Sequence, residues 1–207
     1  AGVDQIPGSS NDWNTVQSYA RVNGAKGQVV ISSADAPLMQ FGGINTGRYT
    51  AGAVPATTHV YGWPMNNYWT TNFNADQHGG HAWRYTLTSY ANTSQGAASW
   101  FGWGNRIPFT GRVLPGGGPG DQRHQASFIT NWPENILLIS AIPTPDGLGA
   151  ILLLRENEGK EATVSLINGI SKTPFKQVPV DVTGKPLAGK ENTMRPYESR
   201  FIRIDFN

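Results

Sequence analysis

The sequence predicts an all-β protein made of antiparallel sheets packed face to face as a sandwich. Two observations carry this. Short segments rich in Val, Ile, Leu, Thr and aromatic residues alternate apolar and polar positions, the two-residue period of a strand with one buried face. Between them sit turn formers, drawn from 25 Gly and 14 Pro among 207 residues. Helical periodicity is nearly absent. Its one weak trace, Asn11 to Val22, also reads as a strand with Val16, Ser18, Ala20 and Val22 on one face.

The remaining elements follow in order. "GQVVIS" (Gly27 to Ser32) and "LMQFG" (Leu38 to Gly42) flank a "SADAP" turn. The segment Asn45 to Thr58 reads as a long loop, and "THVYGW" (Thr58 to Trp63) as the strand that follows it. "HAWRYTLTS" (His81 to Ser89) alternates so that Trp83, Tyr85 and Leu87 share one face. "PGGGPG", inside the stretch Gly111 to Gln125, is a surface segment, because neither a Lys-Ser/Thr pair nor a helix start follows to make it a phosphate cradle. "NILLISAI" (Asn135 to Ile142) and "GAILLLRE" (Gly149 to Glu156) form a hairpin across "PTPDGL". "KEATVSLI", "KQVPVDV" and "ESRFIRIDF" close the chain. About ten to a dozen strands result. Trp69, Phe73, Trp83, Leu87, Leu138, Leu152, Leu154, Val164, Ile202 and Ile204 are the expected core. The whole chain, 1–207, reads as a single sandwich.

Composition narrows the function classes. Charged residues are 14% of the chain, against about 25% in ordinary domains, which argues against a disordered or coiled-coil protein. The net charge is +2 with no run of five basic residues, so no nucleic-acid partner is expected. No apolar run approaches the roughly 18 residues of a membrane helix, and no membrane partner is expected. The absence of Cys removes disulfides, thiolate metal sites and a Cys nucleophile.

One stretch concentrates candidate chemistry: "WPMNNYWTTNFNADQHGGHAWRYTLTS", Trp63 to Ser89. Read as a strand, it places Asn66, Tyr68, Thr70, Asn72 and Asn74 on one face and Met65, Trp69 and Phe73 on the other. Amides and a phenol both donate and accept, which suits sugar hydroxyls, and flat rings suit sugar faces. Trp63, Asn66, Tyr68, Asn72 and Asp76 are therefore the candidate carbohydrate-binding residues; a solvated outer sheet face is the competing reading. His78 and His81 flank Gly79-Gly80, which reads as a hairpin turn rather than a zinc site; His59, His124 and Asp76 are the other ligands by type. Carboxylates are few and mostly in turn contexts, and no GxSxG nucleophile elbow is present. No catalytic or metal residue is assigned.

"DQIPGSSNDWNTVQSYARV", "SSADAPLMQFGGINTGR", the stretch from Trp63, "ASWFGW", "ILLLRENEGKEATVSLI" and "RPYESRFIRIDF" occur in this order. Together they resemble the C-terminal β-domain of bacterial glycoside hydrolase family 38, the α-mannosidase family, from about Asp4 to Phe206. "DAPLMQFGG" and "MNNYWTTNFNADQ" are the most specific pieces. The resemblance implies a galactose-mutarotase-like supersandwich, of which this chain would be part, working beside a separate catalytic α/β barrel that holds zinc. None of His59, His78, His81 or His124 is followed two residues later by Asp, so the barrel's metal segment has no match here. Where the family pattern brings a Glu-Gly type pair after "ADQ", this chain has "HGGH".

The implied function is a non-catalytic β-domain of an α-mannosidase-like glycoside hydrolase. It would support the catalytic domain and lend residues to a cleft for mannoside-type glycans, with no cofactor of its own. The alternatives are a stand-alone carbohydrate-binding module stacking sugars on Trp63, Tyr68 and Trp69, and a small enzyme acting through carboxylates such as Asp76. An exported or periplasmic setting in a bacterium is compatible with either. The resemblance begins partway through the family's supersandwich, so an open sheet edge, available for self-association or a companion segment, is a further expectation.

Overall fold

In a computed structural model, residues 13–44, 54–65, 72, 76–107, 109–113, 125–188 and 191–206 are described. The elements are β1 (Asn14–Thr15), β2 (Ala20–Gly24), β3 (Gly27–Ser32), β4 (Leu38–Phe41), β5 (Val60–Gly62), β6 (Thr86–Tyr90) and α1 (Gln95–Gly104), followed by β7 (Ile129–Thr130) and β8 (Ile136–Pro143). Then come β9 (Gly149–Glu156), β10 (Ala162–Thr163), β11 (Ile167–Asn168), β12 (Lys176–Val180), β13 (Thr193–Met194) and β14 (Ser199–Asp205). The chain is mostly β with antiparallel sheets, as the alternation predicts, consistent with a sandwich and without a closed barrel. It divides into two compact units: Ala1–Ser94 with Ala98–Phe109, and Gln95–Ala97 with Thr110–Asn207.

In the first unit, β2, β3 and β6 form one sheet and β1, β4 and β5 another. β2 and β3 join through the two-residue turn Ala25-Lys26, with Gly24 opposite Gly27. β6 corrects the sequence reading. It starts only at Thr86, and its partner β3 sets which face is inward: Val30 and Ser32, both 0% exposed, lie opposite Thr88 and Thr86. Leu87 is consequently 61% exposed, and Trp83 is only half-buried. A one-residue phase change reverses which side chains reach the core. The buried Ser32 hydroxyl is satisfied by donating to the Ser18 carbonyl at 2.8 Å.

In the second unit the sheet order is β12-β14-β9-β8. Leu152, Leu154, Ile202 and Ile204, all 0% exposed, project from β9 and β14 and pack with Ile136, Val164, Leu166, Phe175 and Met194. Leu138 is half-buried against this cluster. β8 and β9 close as a hairpin whose turn uses Asp146 and Gly147, the latter at φ 70°. "KEATVSLI" is not one strand but two short ones, β10 and β11, separated by Val164–Leu166. Trp69 and Phe73 lie outside the described residues.

The helix α1 was not expected. Its sequence, "QGAASWFGWG", carries three glycines and no charged residue in its first or last turn, so propensity argues against it. Two of the three, Gly96 and Gly102, are required by close approach. A Cβ at Gly102 would lie 2.8 Å from the Ser18 carbonyl oxygen, and one at Gly96 would collide with the Glu134 carbonyl. The Gly96 amide, one of the donors a helix start leaves open, reaches Glu158 Oε1 at 2.6 Å.

Candidate functional site

A cavity of about 390 Å³ opens in the first unit, lined by Ala20, Arg21, Val22 and Asn23 of β2, by Phe41 of β4, and by Val54 through Val60. The second wall is the end of the segment read from sequence as a long loop. Thr57 anchors it by donating its hydroxyl hydrogen to the Gly42 carbonyl, and the Gly42 amide donates to the His59 carbonyl at 2.9 Å. The His59 ring sits edge-on to Tyr61, centroids 6.1 Å apart. The described lining residues mix apolar side chains with Arg, Asn, Thr and His, and none of them is a carboxylate.

Of the candidate residues read from sequence, the described ones, Trp63, Asn72 and Asp76, are not among its lining residues. Trp63 is half-buried and packs edge-on against Trp13, centroids 5.0 Å apart. Asn72 lies exposed at a bend, and Asp76 is exposed in irregular chain. Asn66 and Tyr68 lie outside the described residues. His78 and His81 are exposed, and Gly79 takes φ 110°, but the described residues on either side, 76–85, form no strand, so Gly79-Gly80 is a bend in irregular chain and not the turn of a hairpin. His81 stacks on Trp83 at 5.5 Å. Among the described residues, no group of three or more His, Asp or Glu is placed to hold a metal ion.

The described carboxylates with resolved partners serve the fold. Asp35 receives the Arg84 backbone amide at 2.9 Å and its guanidinium at 3.2 Å, and the side-chain bond to Arg84 is the main influence holding its carboxyl below the ordinary range. Asp146 is held down to about 2, chiefly by the Thr144 hydroxyl, then by the Leu148 amide and Arg203. Asp181 accepts from the Thr183 hydroxyl and from the Thr183 and Lys185 amides, closing the turn after β12. Glu198 pairs with the buried Arg200 at 2.7 Å. Glu156 is fully buried and accepts four hydrogen bonds, from Asn135, Glu158, Gly159 and Tyr197. None of these lines the cavity.

Sequence reading missed the cavity because its polar residues are scattered. Arg21 and Asn23 look like ordinary outward strand positions, and Thr57 and Thr58 like loop residues. His59 stood out only as a ligand by type, and nothing in the spacing links position 21 to position 59. Compared with models of known protein families and with curated proteins, the chain matches none.

Proposed function

We propose that this chain is a non-catalytic β-domain of an α-mannosidase-like glycoside hydrolase, supporting the catalytic part of that protein. The observation that carries the non-catalytic reading is the use of the carboxylates. Glycoside hydrolysis needs two carboxyl groups facing one substrate. Among the described residues, Asp35, Asp146, Glu156, Asp181 and Glu198 are each engaged in a turn, a strand end or an ion pair, and the one described cavity has no Asp or Glu in its walls. The α-mannosidase assignment rests on the resemblance of the quoted motifs. The stand-alone carbohydrate module is the weaker reading, because Trp63, one of its three stacking rings, is taken up against Trp13.

The test is turnover of an aryl α-mannoside by the purified chain and by a longer protein carrying it. The expected result is none from the chain alone and turnover from the longer protein. Activity of the chain that survives repeated purification and disappears in Asp76→Asn would overturn the reading and favour the small-enzyme alternative.

A further inference from the structure

We infer that Asn23 is a site of spontaneous deamidation, closing to a succinimide on the Gly24 nitrogen, while the chain's other Asn-Gly pair, Asn168-Gly169, is held inert by the fold. Neither pair's chemistry depends on the glycoside hydrolase reading.

The sequence treats the two pairs alike. Each follows a β-branched residue, as Val22-Asn23-Gly24 and Ile167-Asn168-Gly169. Glycine has no Cβ, so its backbone nitrogen is the least obstructed for attack on the preceding side-chain amide. The fold separates them. Asn23 and Gly24 are exposed at the end of β2. Gly24 pairs with Gly27 as the last rung before the turn Ala25-Lys26. Among the described residues, no hydrogen bond holds the Asn23 side chain. An extended strand keeps the side-chain carbonyl carbon away from the next nitrogen, so ring closure requires that rung to open. The fraying end of a ladder opens at the least cost in free energy.

Asn168 is 8% exposed. Its Oδ1 accepts from the Ile170 amide at 2.9 Å and the Ser171 amide at 3.1 Å. Its backbone amide donates to the Thr173 carbonyl at 2.9 Å, and the attacking nitrogen, that of Gly169, donates to the Phe128 carbonyl at 2.8 Å. A Cβ at Gly169 would collide with the Ser127 carbonyl, so the backbone there has no room to rearrange. Closure would have to break all of these contacts at once. The Asp146-Gly147 turn is locked in the same way: the Gly147 amide donates to the Thr144 carbonyl at 2.9 Å, and Asp146 Oδ1 accepts from the Leu148 amide at 3.0 Å.

In the reaction the Gly24 nitrogen loses its proton to water or hydroxide and bonds to Asn23 Cγ. The Cγ–Nδ2 bond breaks and ammonia leaves. Water then opens the ring at either carbonyl, giving aspartate or isoaspartate with one new carboxylate, and no electron is exchanged. Asn23 lines the cavity of the first unit, none of whose described residues is a carboxylate, so the product puts a negative charge into that wall. Isoaspartate also adds one carbon to the backbone of β2 where it pairs with Gln28 of β3.

The experiment keeps the 207-residue chain folded in warm, mildly alkaline buffer, with a parallel sample in concentrated guanidinium chloride. Aliquots are digested briefly with trypsin at slightly acidic pH. The peptides Val22–Lys26 and Glu161–Lys172, each carrying one Asn-Gly pair, are then resolved by chromatography and mass spectrometry. In the folded chain Asn23 should be lost roughly tenfold or more faster than Asn168, with isoaspartate among the products, and in guanidinium the two should react within about twofold of each other. Three outcomes would overturn the inference: equal rates in the folded chain, a contrast that persists in guanidinium, which would trace it to sequence alone, or aspartate as the sole product, which would exclude the ring.

Discussion

Replacing Glu156 with Gln changes one oxygen to an NH2 group inside the second unit, and the structure fixes what that removes. Oε1 accepts from Asn135 Nδ2 at 2.9 Å and the Glu158 amide at 2.8 Å; Oε2 accepts from the Gly159 amide at 2.9 Å and the Tyr197 amide at 2.8 Å. Whichever way the new amide turns, two of four donors face an NH2 group. A buried donor left without an acceptor costs about 1–3 kcal/mol, so the loss is roughly 2–6 kcal/mol. The carboxylate also holds Gly159 and Tyr197 in left-handed conformations, φ 73° and 57°, the second unfavourable for a non-glycine residue. With a urea m-value of about 2 kcal/mol/M, the midpoint should fall by about 1–3 M. The control is Glu161→Gln, an exposed position, where a change within about 0.5 kcal/mol is expected.

The pH dependence has a definite sign. Burial works against ionisation of Glu156, but the donations from Tyr197, Glu158, Asn135 and Gly159 outweigh it and lower its pKa from 4.5. A lowered carboxyl stabilises the folded state above its unfolded pKa, and that stabilisation is lost as pH falls through the folded value. The gap between wild type and Glu156→Gln should therefore be full at pH 7 and shrink below about 4.5. A loss under about 1 kcal/mol at pH 7, or a gap constant down to pH 3, would refute the reasoning.

Three other outcomes are expected. Gly102→Ala should destabilise by about 1–2 kcal/mol, because overpacking against Ser18 and Tyr19 outweighs a helix-propensity gain of about 1; Gly104→Ala, with open space around its Cβ, should be neutral or stabilising, as urea titration of both will show. The Asp146 carboxyl should titrate by carbon-detected NMR with a midpoint of about 2, moving up towards the ordinary aspartate range in Thr144→Val, so that its contribution to stability is lost only as pH falls towards 2. Leu87→Ala should cost under about 1 kcal/mol, whereas Leu152→Ala should cost about 2–5 kcal/mol, a contrast that thermal melts can check.

Much of the fold was legible from local pattern. β3 and β9 begin and end where alternation and turn residues place them, and Leu152, Leu154, Val164, Ile202 and Ile204 are buried as read. Around Val164 and Ile204 polar neighbours alternate with the buried residues, and Arg203 separates Ile204 from Ile202, so the two-residue period is plain. Leu152 and Leu154 instead sit in a continuous apolar run, Ala150 to Leu154, that reads as buried as a whole. Pattern failed where a partner overrode it. The alternation of "HAWRYTLTS" points Leu87 inward with Trp83 and Tyr85, but Val30 and Ser32 across the ladder place Thr88 on the inner face and leave Leu87 outward. The helix at Gln95–Gly104 runs against its own propensity because Gly96 and Gly102 meet carbonyl oxygens that are distant in sequence.

What the sequence determined by itself is the class of structure: strand-length apolar segments, turn residues and low charge leave an antiparallel β protein as the consistent solution. The cavity was decided by tertiary structure alone. Its described walls come from residues 20–23, Phe41 and 54–60, which are far apart in sequence. They meet because β4 pairs with β5 and β2 with β3, and side-chain identity at those positions carries no record of that pairing.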